Sequence, residues 1–251
     1  MNIEKMRAIY GQWVETESVI DSCLSGIMGQ LFADNAENPK SVGALLGDFC
    51  FLAGMGNAHI VEEAAKLHGP GYLIFAAQDP TWLPVLENCL EGRLERGIRY
   101  AIAKDDSGFD RDKLRHMADA LPDGYQLRWI DETLFARCKA LPWCESLTCQ
   151  YASWEDFERL GMGVVAMRND EITAGASSYS TYSRGIEVEV DTHEAHRRRG
   201  LATACAAGLI LACLDRGLFP SWDAANPESV GLAQKLGYRF SHEYPVWTIE
   251  L

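Results

Sequence analysis

The chain has 251 residues, of which 47% are hydrophobic and 24% charged, a composition that excludes a disordered protein and allows a sizeable core. With 23 basic against 36 acidic residues the formal net charge is −13, which disfavours nucleic acid and anionic lipid because both are polyanions. No apolar run approaches the roughly 20 residues of a membrane-spanning helix, and the N-terminus shows no signal-peptide pattern. We therefore expect a cytoplasmic protein with neither a membrane nor a nucleic-acid partner.

The cysteines give no sign of a metal centre. None of the eight forms a CxxC pair, and no histidine pair has zinc-finger spacing. The one cluster, Cys138, Cys144 and Cys149, has gaps that are atypical of metal ligands. The sequence thus predicts reduced thiols and no metal.

In chain order, the N-terminal part predicts strands that alternate with helices. Apolar residues at helical spacing from Ile20 to Leu31 predict a first helix. Strands are then predicted over 48–53, 72–77, 99–103 and 126–130, and helices over 80 to about 94, over 110–121 and from 131 onward. The pair Gly54 and Gly56 lacks the third glycine of a dinucleotide motif, because His59 stands there, so we expect only a turn.

An irregular stretch over 141–151 predicts a junction between an N-terminal α/β domain, 1–145, and a second domain, 146–251. Ser153 is the expected cap of a helix over 154–160. The elements predicted after it are strands 163–167, 172–178 and 186–190, a helix from about 198 to 216, a strand over 219–223, a helix over 227–236 and C-terminal strands through 251.

The segment between strand 186–190 and the long helix carries the strongest motif. The turn contains, in order, Arg197, Arg198, Arg199, Gly200, Leu201 and Ala202. Backbone N–H groups at a helix start, with the positive end of the helix dipole, form a site for pyrophosphate. The alternative at this point is a solvated basic turn with an ordinary glycine.

This segment resembles the acetyl-CoA motif of the GNAT acetyltransferase superfamily, (Gln/Arg)-x-x-Gly-x-(Gly/Ala), at Arg197, Gly200 and Ala202. The stretches 226–229 and 232–238 resemble the family's Asn-x-x-Ala/Ser and Leu-x-x-Lys-x-Gly-Phe/Tyr patterns. The resemblance covers about residues 150–251 and implies a GNAT-like mixed sheet flanked by helices. Residues 1–145 then look like the extra domain of a two-domain subgroup, which we expect to wall the acceptor site.

The resemblance also implies acetyl-CoA as co-substrate. The residues expected to bind it are Val190, Thr192, Arg197, Arg198, Arg199, Gly200, Leu201, Ala202, Thr203 and Asn226. Asn226 would reach the pantetheine arm or cap the helix that begins at Pro227, and the two roles are compatible.

Attack of an amine on a thioester requires a neutral amine, so a base or a water chain must take its proton. Glu187 and Glu189 alternate with apolar residues and share a strand face, which makes them the candidates; a solvent-facing acidic stripe is the alternative for each. The resemblance places the catalytic acid a little over ten residues before the motif glycine and so favours Glu187. Ala233 stands where many members carry the tyrosine that protonates the thiolate.

Two functions therefore remain open. One is an enzyme that moves an acetyl group from acetyl-CoA to an amine of a small molecule or peptide, and the two glutamates favour it. The other is a non-catalytic acyl-CoA-binding sensor or interaction module, consistent with the missing tyrosine. If the acceptor cleft shares the acidity of the chain, it would suit a cationic amine.

Overall fold

The structure is a computed structural model that describes residues 1–90 and 93–251. Its described helices are α1 (Ile3–Tyr10), α2 (Trp13–Thr16), α3 (Ser18–Ser25), α4 (Ala58–His68), α5 (Trp82–Cys89), α6 (Arg111–Asp119), α7 (Glu132–Ala140), α8 (Trp154–Leu160), α9 (Leu201–Asp215) and α10 (Pro227–Leu236). Its described strands are β1 (Gln30–Ala33), β2 (Ser41–Leu46), β3 (Phe49–Gly54), β4 (Tyr72–Ala77), β5 (Glu95–Ile102), β6 (Tyr125–Trp129), β7 (Gly163–Arg168), β8 (Glu171–Tyr182), β9 (Gly185–Thr192), β10 (Phe219–Ser221), β11 (Asp223–Ala224) and β12 (Phe240–Glu250).

Within those ranges, every helix is too short or too polar to cross a membrane.

The chain forms two compact units, Met1–Arg99 with Glu243–Leu251, and Tyr100–His242. This division differs from the boundary at 145/146 that the sequence predicts. The physical reason is strand pairing, because β6 is hydrogen-bonded to β7 along its length and so joins residues before 145 to the second unit. The end of β12 pairs with β4 and belongs to the first unit. That the N-terminal part walls the acceptor site remains a prediction.

The first unit is built on a mixed sheet in which β1, β2, β3, β4 and β12 are successive neighbours. β3 and β4 run parallel, whereas β1–β2, β2–β3 and β4–β12 are antiparallel. Trp82 is fully buried in this unit, and its indole N–H donates to the Gly54 carbonyl at 3.0 Å. Gly54 has φ +77, and a Cβ there would lie 2.1 Å from the Lys40 carbonyl oxygen. Gly54 thus ends β3 in a left-handed conformation with no room for a side chain, and a bend at Met55 follows it.

Several predictions for the first unit are wrong. The helix expected over 20–31 ends at Ser25, because Gly26 takes a left-handed conformation with φ 66, and Leu31 lies in β1. β2 and α4 were not predicted at all. The helix expected over 80–94 is α5, which ends at Cys89; residues 91 and 92 of that prediction lie outside the described residues.

The second unit is built on the sheet β10-β9-β8-β7-β6, in which β9 and β10 are the parallel pair. α9 packs on this sheet through its buried apolar residues, among them Leu209 and Ile210, together with Leu114 of α6. Predicted helices 154–160 and 227–236 are confirmed at both ends. α9 begins at Leu201 rather than near 198, and the strand expected over 219–223 is divided into β10 and β11 at the buried Trp222. The predicted mixed sheet flanked by helices is thus the observed architecture.

Candidate functional site

β9 separates from β10 part-way along its length. The parallel pairing of the two strands ends at Glu187 and Ser221, while β9 continues to Thr192 in register with β8 on its other side. β11, which follows β10, pairs instead with β5. An extra residue in β8, Tyr179, makes a bulge opposite the same point, and such bulges bend a strand. A wedge therefore opens between β9 and the chain that follows β10.

The wedge leads to the start of α9, where the backbone is shaped to leave N–H groups available. Gly200 precedes the helix with φ 82 and Arg198 has φ 63, both in the left-handed region. In the described chain no side chain caps this helix, whereas α6, α7, α8 and α10 each have a capping oxygen. A Cβ on Gly200 would meet nothing within 4 Å, so the space in front of the helix is open. These features are those of an anion site.

Cations surround this helix start in an otherwise acidic protein. The side chains of Arg197, Arg198 and Arg199 are exposed, and the Arg197 guanidinium donates to the Thr192 carbonyl oxygen at 3.4 Å. Lys235 of α10 adds a fourth cation, since its ammonium donates to the Thr203 hydroxyl at 3.4 Å. The sequence analysis included Lys235 only in the Leu-x-x-Lys-x-Gly-Phe/Tyr pattern and did not predict that it lies beside the arginine turn.

The other residues predicted to bind acetyl-CoA lie at the end of β9, in the first turn of α9 and at the start of α10. Val190 and Thr192 are half-buried at the end of β9, and Ala202 is half-buried in the first turn of α9. Leu201 is buried in the core, so only its backbone could contact a ligand. Asn226 caps α10, accepting the Ser229 N–H at 2.9 Å, which confirms the capping interpretation.

The two glutamates lie on the face of β9 opposite α9. Ile186 and Val188 point into the core with α9, and Glu187 and Glu189 are half-buried on the other side. Glu187 stands at the last position paired with β10, beside the wedge.

Farther along the same face, Asp191 accepts a hydrogen bond from the Ser146 hydroxyl at 2.9 Å. Burial raises the pKa of Asp191, and the bond from Ser146 partly offsets that rise because it stabilises the charged form. Asp191 is therefore held in place close to the arginine turn.

Neither the residue at position 233 nor the nearby Tyr238 supplies the hydroxyl that many family members use to protonate the thiolate. Ala233 is fully buried. Tyr238 donates its hydroxyl to the Pro220 carbonyl oxygen at 2.7 Å, and burial raises the pKa of Tyr238 well above its ordinary value. Because its hydroxyl proton forms a hydrogen bond to a buried carbonyl oxygen, Tyr238 is not positioned to protonate the thiolate.

A cavity of about 440 Å³ lies beside the start of β10. It is lined by Lys104, Asp105, Asp106, Tyr182, Arg184, Phe219 and Arg239. The Lys104 ammonium lies 5.0 Å from the centre of the Tyr182 ring and donates to the Ser221 hydroxyl at 2.8 Å. Because Ser221 is the partner of Glu187 in the strand register, the cavity adjoins the mouth of the wedge. No sequence pattern singled out Lys104 or Tyr182.

Comparison with known proteins decides the family. A sequence model of the family described as GNAT acetyltransferase matches residues 7–247. The chain belongs to the GNAT acetyltransferase family. The match extends well before residue 150, so the N-terminal part is also covered by the family's sequence pattern.

Individual relatives agree with this membership. The chain is 27% identical over 234 residues to the uncharacterized N-acetyltransferase YdfB of Bacillus subtilis, covering 88% of this chain and 85% of that one. A crystal structure of a GCN5-related N-acetyltransferase-like protein from Streptococcus suis superposes with a TM-score of 0.91 at 38% identity, covering 98% and 97% of the two chains. A GCN5-related N-acetyltransferase from Kribbella flavida shares the fold, with a TM-score of 0.55 at 15% identity and coverage of 93% and 95%. The protein is thus a GNAT-type N-acetyltransferase.

Proposed function

We propose that this GNAT acetyltransferase transfers an acetyl group from acetyl-CoA to an amine of a small molecule or peptide. The observation that carries the proposal is the uncapped, open start of α9 with four cations around it. The pyrophosphate of CoA is an anion that matches backbone N–H groups at a helix start, and guanidinium groups add charge-assisted hydrogen bonds to it.

From that anchor the pantetheine arm would lie in the wedge. The amides of the arm match the backbone of 190–192, where β9 has left β10. The acetyl group then comes to lie near the end of the β9–β10 pairing, beside Glu187. Asn226, at the start of α10, would reach the same arm with its amide nitrogen, because its cap uses only the amide oxygen.

The transfer itself is a direct attack. The amine nitrogen bonds to the thioester carbonyl carbon, the carbon–sulfur bond breaks, and CoA leaves as a thiolate. Glu187, directly or through a water, takes the proton that the amine loses. With Ala233 and the committed hydroxyl of Tyr238, the thiolate takes its proton from water.

The cavity beside β10 is the route that we assign to the acceptor. Its lining carries charges of both signs: Lys104, Arg184 and Arg239 are basic, and Asp105 and Asp106 are acidic. Arg239 is paired with Asp105, so part of this charge is already neutralised inside the cavity. The cavity therefore does not share the strong acidity of the whole chain, and this lining does not select for a polycation.

Calorimetric titration with acetyl-CoA tests the donor. Gly200→Glu should abolish binding, because the new carboxylate would occupy the open space in front of α9. The matched control is Gly217→Glu just beyond the other end of α9, where φ is also positive and a Cβ also meets nothing within 4 Å, and it should bind normally. Arg197→Ala should weaken binding by about 1–3 kcal/mol, the usual loss for a charge-assisted hydrogen bond. Unchanged affinity in a folded Gly200→Glu variant would refute the assignment.

A screen of amines for release of free CoA thiol tests the acceptor. Thiol release that depends on the amine supports transfer from acetyl-CoA to an amine, whereas tight acetyl-CoA binding with no release for any amine would overturn it.

A further inference from the structure

A second cluster of polar side chains lies beside the arginine turn. Glu171 begins β8, His193 directly follows β9, and His196 is the last residue of the short 3-10 turn Glu194–His196. One potential ligand atom from each of the three residues lies within 4.8 Å of the others. The sequence separates Glu171 from the histidines, and the β8–β9 pairing brings them together.

His196 is already held in the orientation that a metal ligand needs. It is buried, its Nδ1 lies 2.7 Å from the Tyr125 hydroxyl, and its Nε2 lies 3.6 Å from a carboxylate oxygen of Glu171. In metal sites the second ring nitrogen of a histidine ligand is usually fixed by a hydrogen bond, as Tyr125 does here. The hydrogen bond from Tyr125 thereby keeps the Nε2 of His196 directed at the Glu171 carboxylate.

His193 carries an unsatisfied atom. Among the described residues its buried Nδ1 has no hydrogen-bond partner, and its ring packs against Trp143 at 5.3 Å in an edge-to-face arrangement. A buried nitrogen without a partner costs free energy, so its presence points to a group that the protein atoms alone do not supply.

We propose that Glu171, His193 and His196 bind a divalent transition-metal ion, with Zn²⁺ the best match. Two imidazoles and one carboxylate are a common zinc donor set that leaves a fourth position for water. Zinc bonds of about 2.0–2.1 Å place tetrahedral ligand atoms about 3.3–3.4 Å apart. The 3.6 Å separation of His196 and Glu171 is already close to that value. The Glu171 side chain is exposed and can close the remaining distance.

A bound ion would tie the start of β8 to the segment that leads into Arg197. Its role would be to hold this turn in place, because Glu187, the proposed base, is not among the ligands. The inference departs from the expectation of no metal, which rested on sequence spacing alone. It does not depend on the proposed acetyl transfer, because binding of the ion can be measured without CoA.

The full-length protein, stripped of metals with a chelator and kept reduced, is titrated with Zn²⁺ by calorimetry and with Co²⁺ by visible absorption. We expect one ion per chain. His196→Gln should abolish binding, Glu171→Gln should weaken it, and Tyr125→Phe should lower the affinity about 10–100-fold as an outer-shell change.

Two control variants should leave the affinity unchanged. His242→Gln removes an exposed histidine whose ring meets Ser241, and Cys149→Ser removes the exposed thiol. Circular dichroism checks folding, and if His196→Gln misfolds, the exposed Glu171→Gln decides. Failure of the wild-type protein to bind either ion would overturn the proposal, as would equal Zn²⁺ affinity in a folded ligand variant, which would locate the ion elsewhere.

Discussion

Glu187 and Glu189 occupy alternate positions on one face of β9, so their α carbons lie about 6.6–6.8 Å apart. At that separation only one of them can be adjacent to the attacking amine. Glu187 is the residue paired with Ser221, whose hydroxyl accepts from Lys104 beside the cavity. Glu189 lies two residues farther toward the arginine turn. The geometry around the wedge therefore favours Glu187 as the base, in agreement with the family resemblance.

Replacing the Glu187 carboxylate by an amide tests whether Glu187 is the base. Glu187→Gln keeps the shape and removes the basicity, so turnover should fall by about 10²–10⁴-fold while the acetyl-CoA dissociation constant stays nearly constant. Glu189→Gln is the matched control and should have a much smaller effect. Turnover measured at saturating substrates, with calorimetry for affinity, separates the two. Wild-type turnover in both variants would mean that water or the substrate itself handles the proton.

At the scale of the element, the start of α9 is set by backbone conformation. Nine residues span the arginine turn from Thr192 to Gly200, and the helix begins only after Gly200 has taken φ 82. An L-residue with a side chain pays a conformational penalty in that region, whereas glycine does not. The backbone conformation therefore favours glycine at position 200 independently of the proposed pyrophosphate contact.

Two alanine substitutions separate the conformational reason from the steric one. Neither Gly200 nor Gly231 has an atom within 4 Å of its added Cβ, but only Gly200 has positive φ. Gly200→Ala should lower the free energy of unfolding by about 1 kcal/mol. Gly231→Ala, in α10, should raise it by about 0.5–1 kcal/mol because alanine favours the helix. Urea unfolding measures both, and a gain of stability in Gly200→Ala would contradict the left-handed backbone.

At the scale of the molecule, every residue proposed to bind acetyl-CoA lies within the compact unit Tyr100–His242. Residues 100–145 belong to that unit because β6 extends its sheet and α6 packs on α9 through Leu114. Arg111 of α6 also forms an ion pair with Asp215 at the end of α9. A cut at residue 145 would remove both elements and expose the apolar faces that they cover.

Fragments test this division. Residues 100–242 should fold and bind acetyl-CoA with an affinity close to that of the full chain, as measured by circular dichroism and calorimetry. Residues 145–251 should be insoluble or unfolded, because they lack β6 and α6. A stable 145–251 fragment with full acetyl-CoA affinity would contradict this division, because the residues after the boundary predicted from the sequence would then form the whole site.

Where signals are local, the sequence predicted structure well. α8 and α10 have the predicted bounds, because Ser153 and Asn226 cap them with hydrogen bonds made within one turn. The same regularity misled the prediction over 20–31, since apolar spacing cannot show that Gly26 ends the helix and that Leu31 pairs with β2. The spacing of apolar residues shows which face of an element is buried, but it does not show which distant segment of the chain packs or pairs with that element.

The sequence by itself determined the family resemblance, the arginine turn and the shared face of Glu187 and Glu189, because each depends on residues within one strand–turn–helix segment. Only the tertiary structure placed Lys104 beside Ser221, and Tyr125 and Glu171 beside His196. Those contacts span 117, 71 and 25 positions in the chain and follow from which strands pair. Strand pairing is decided by burial over a whole sheet, so no local pattern of residues records it.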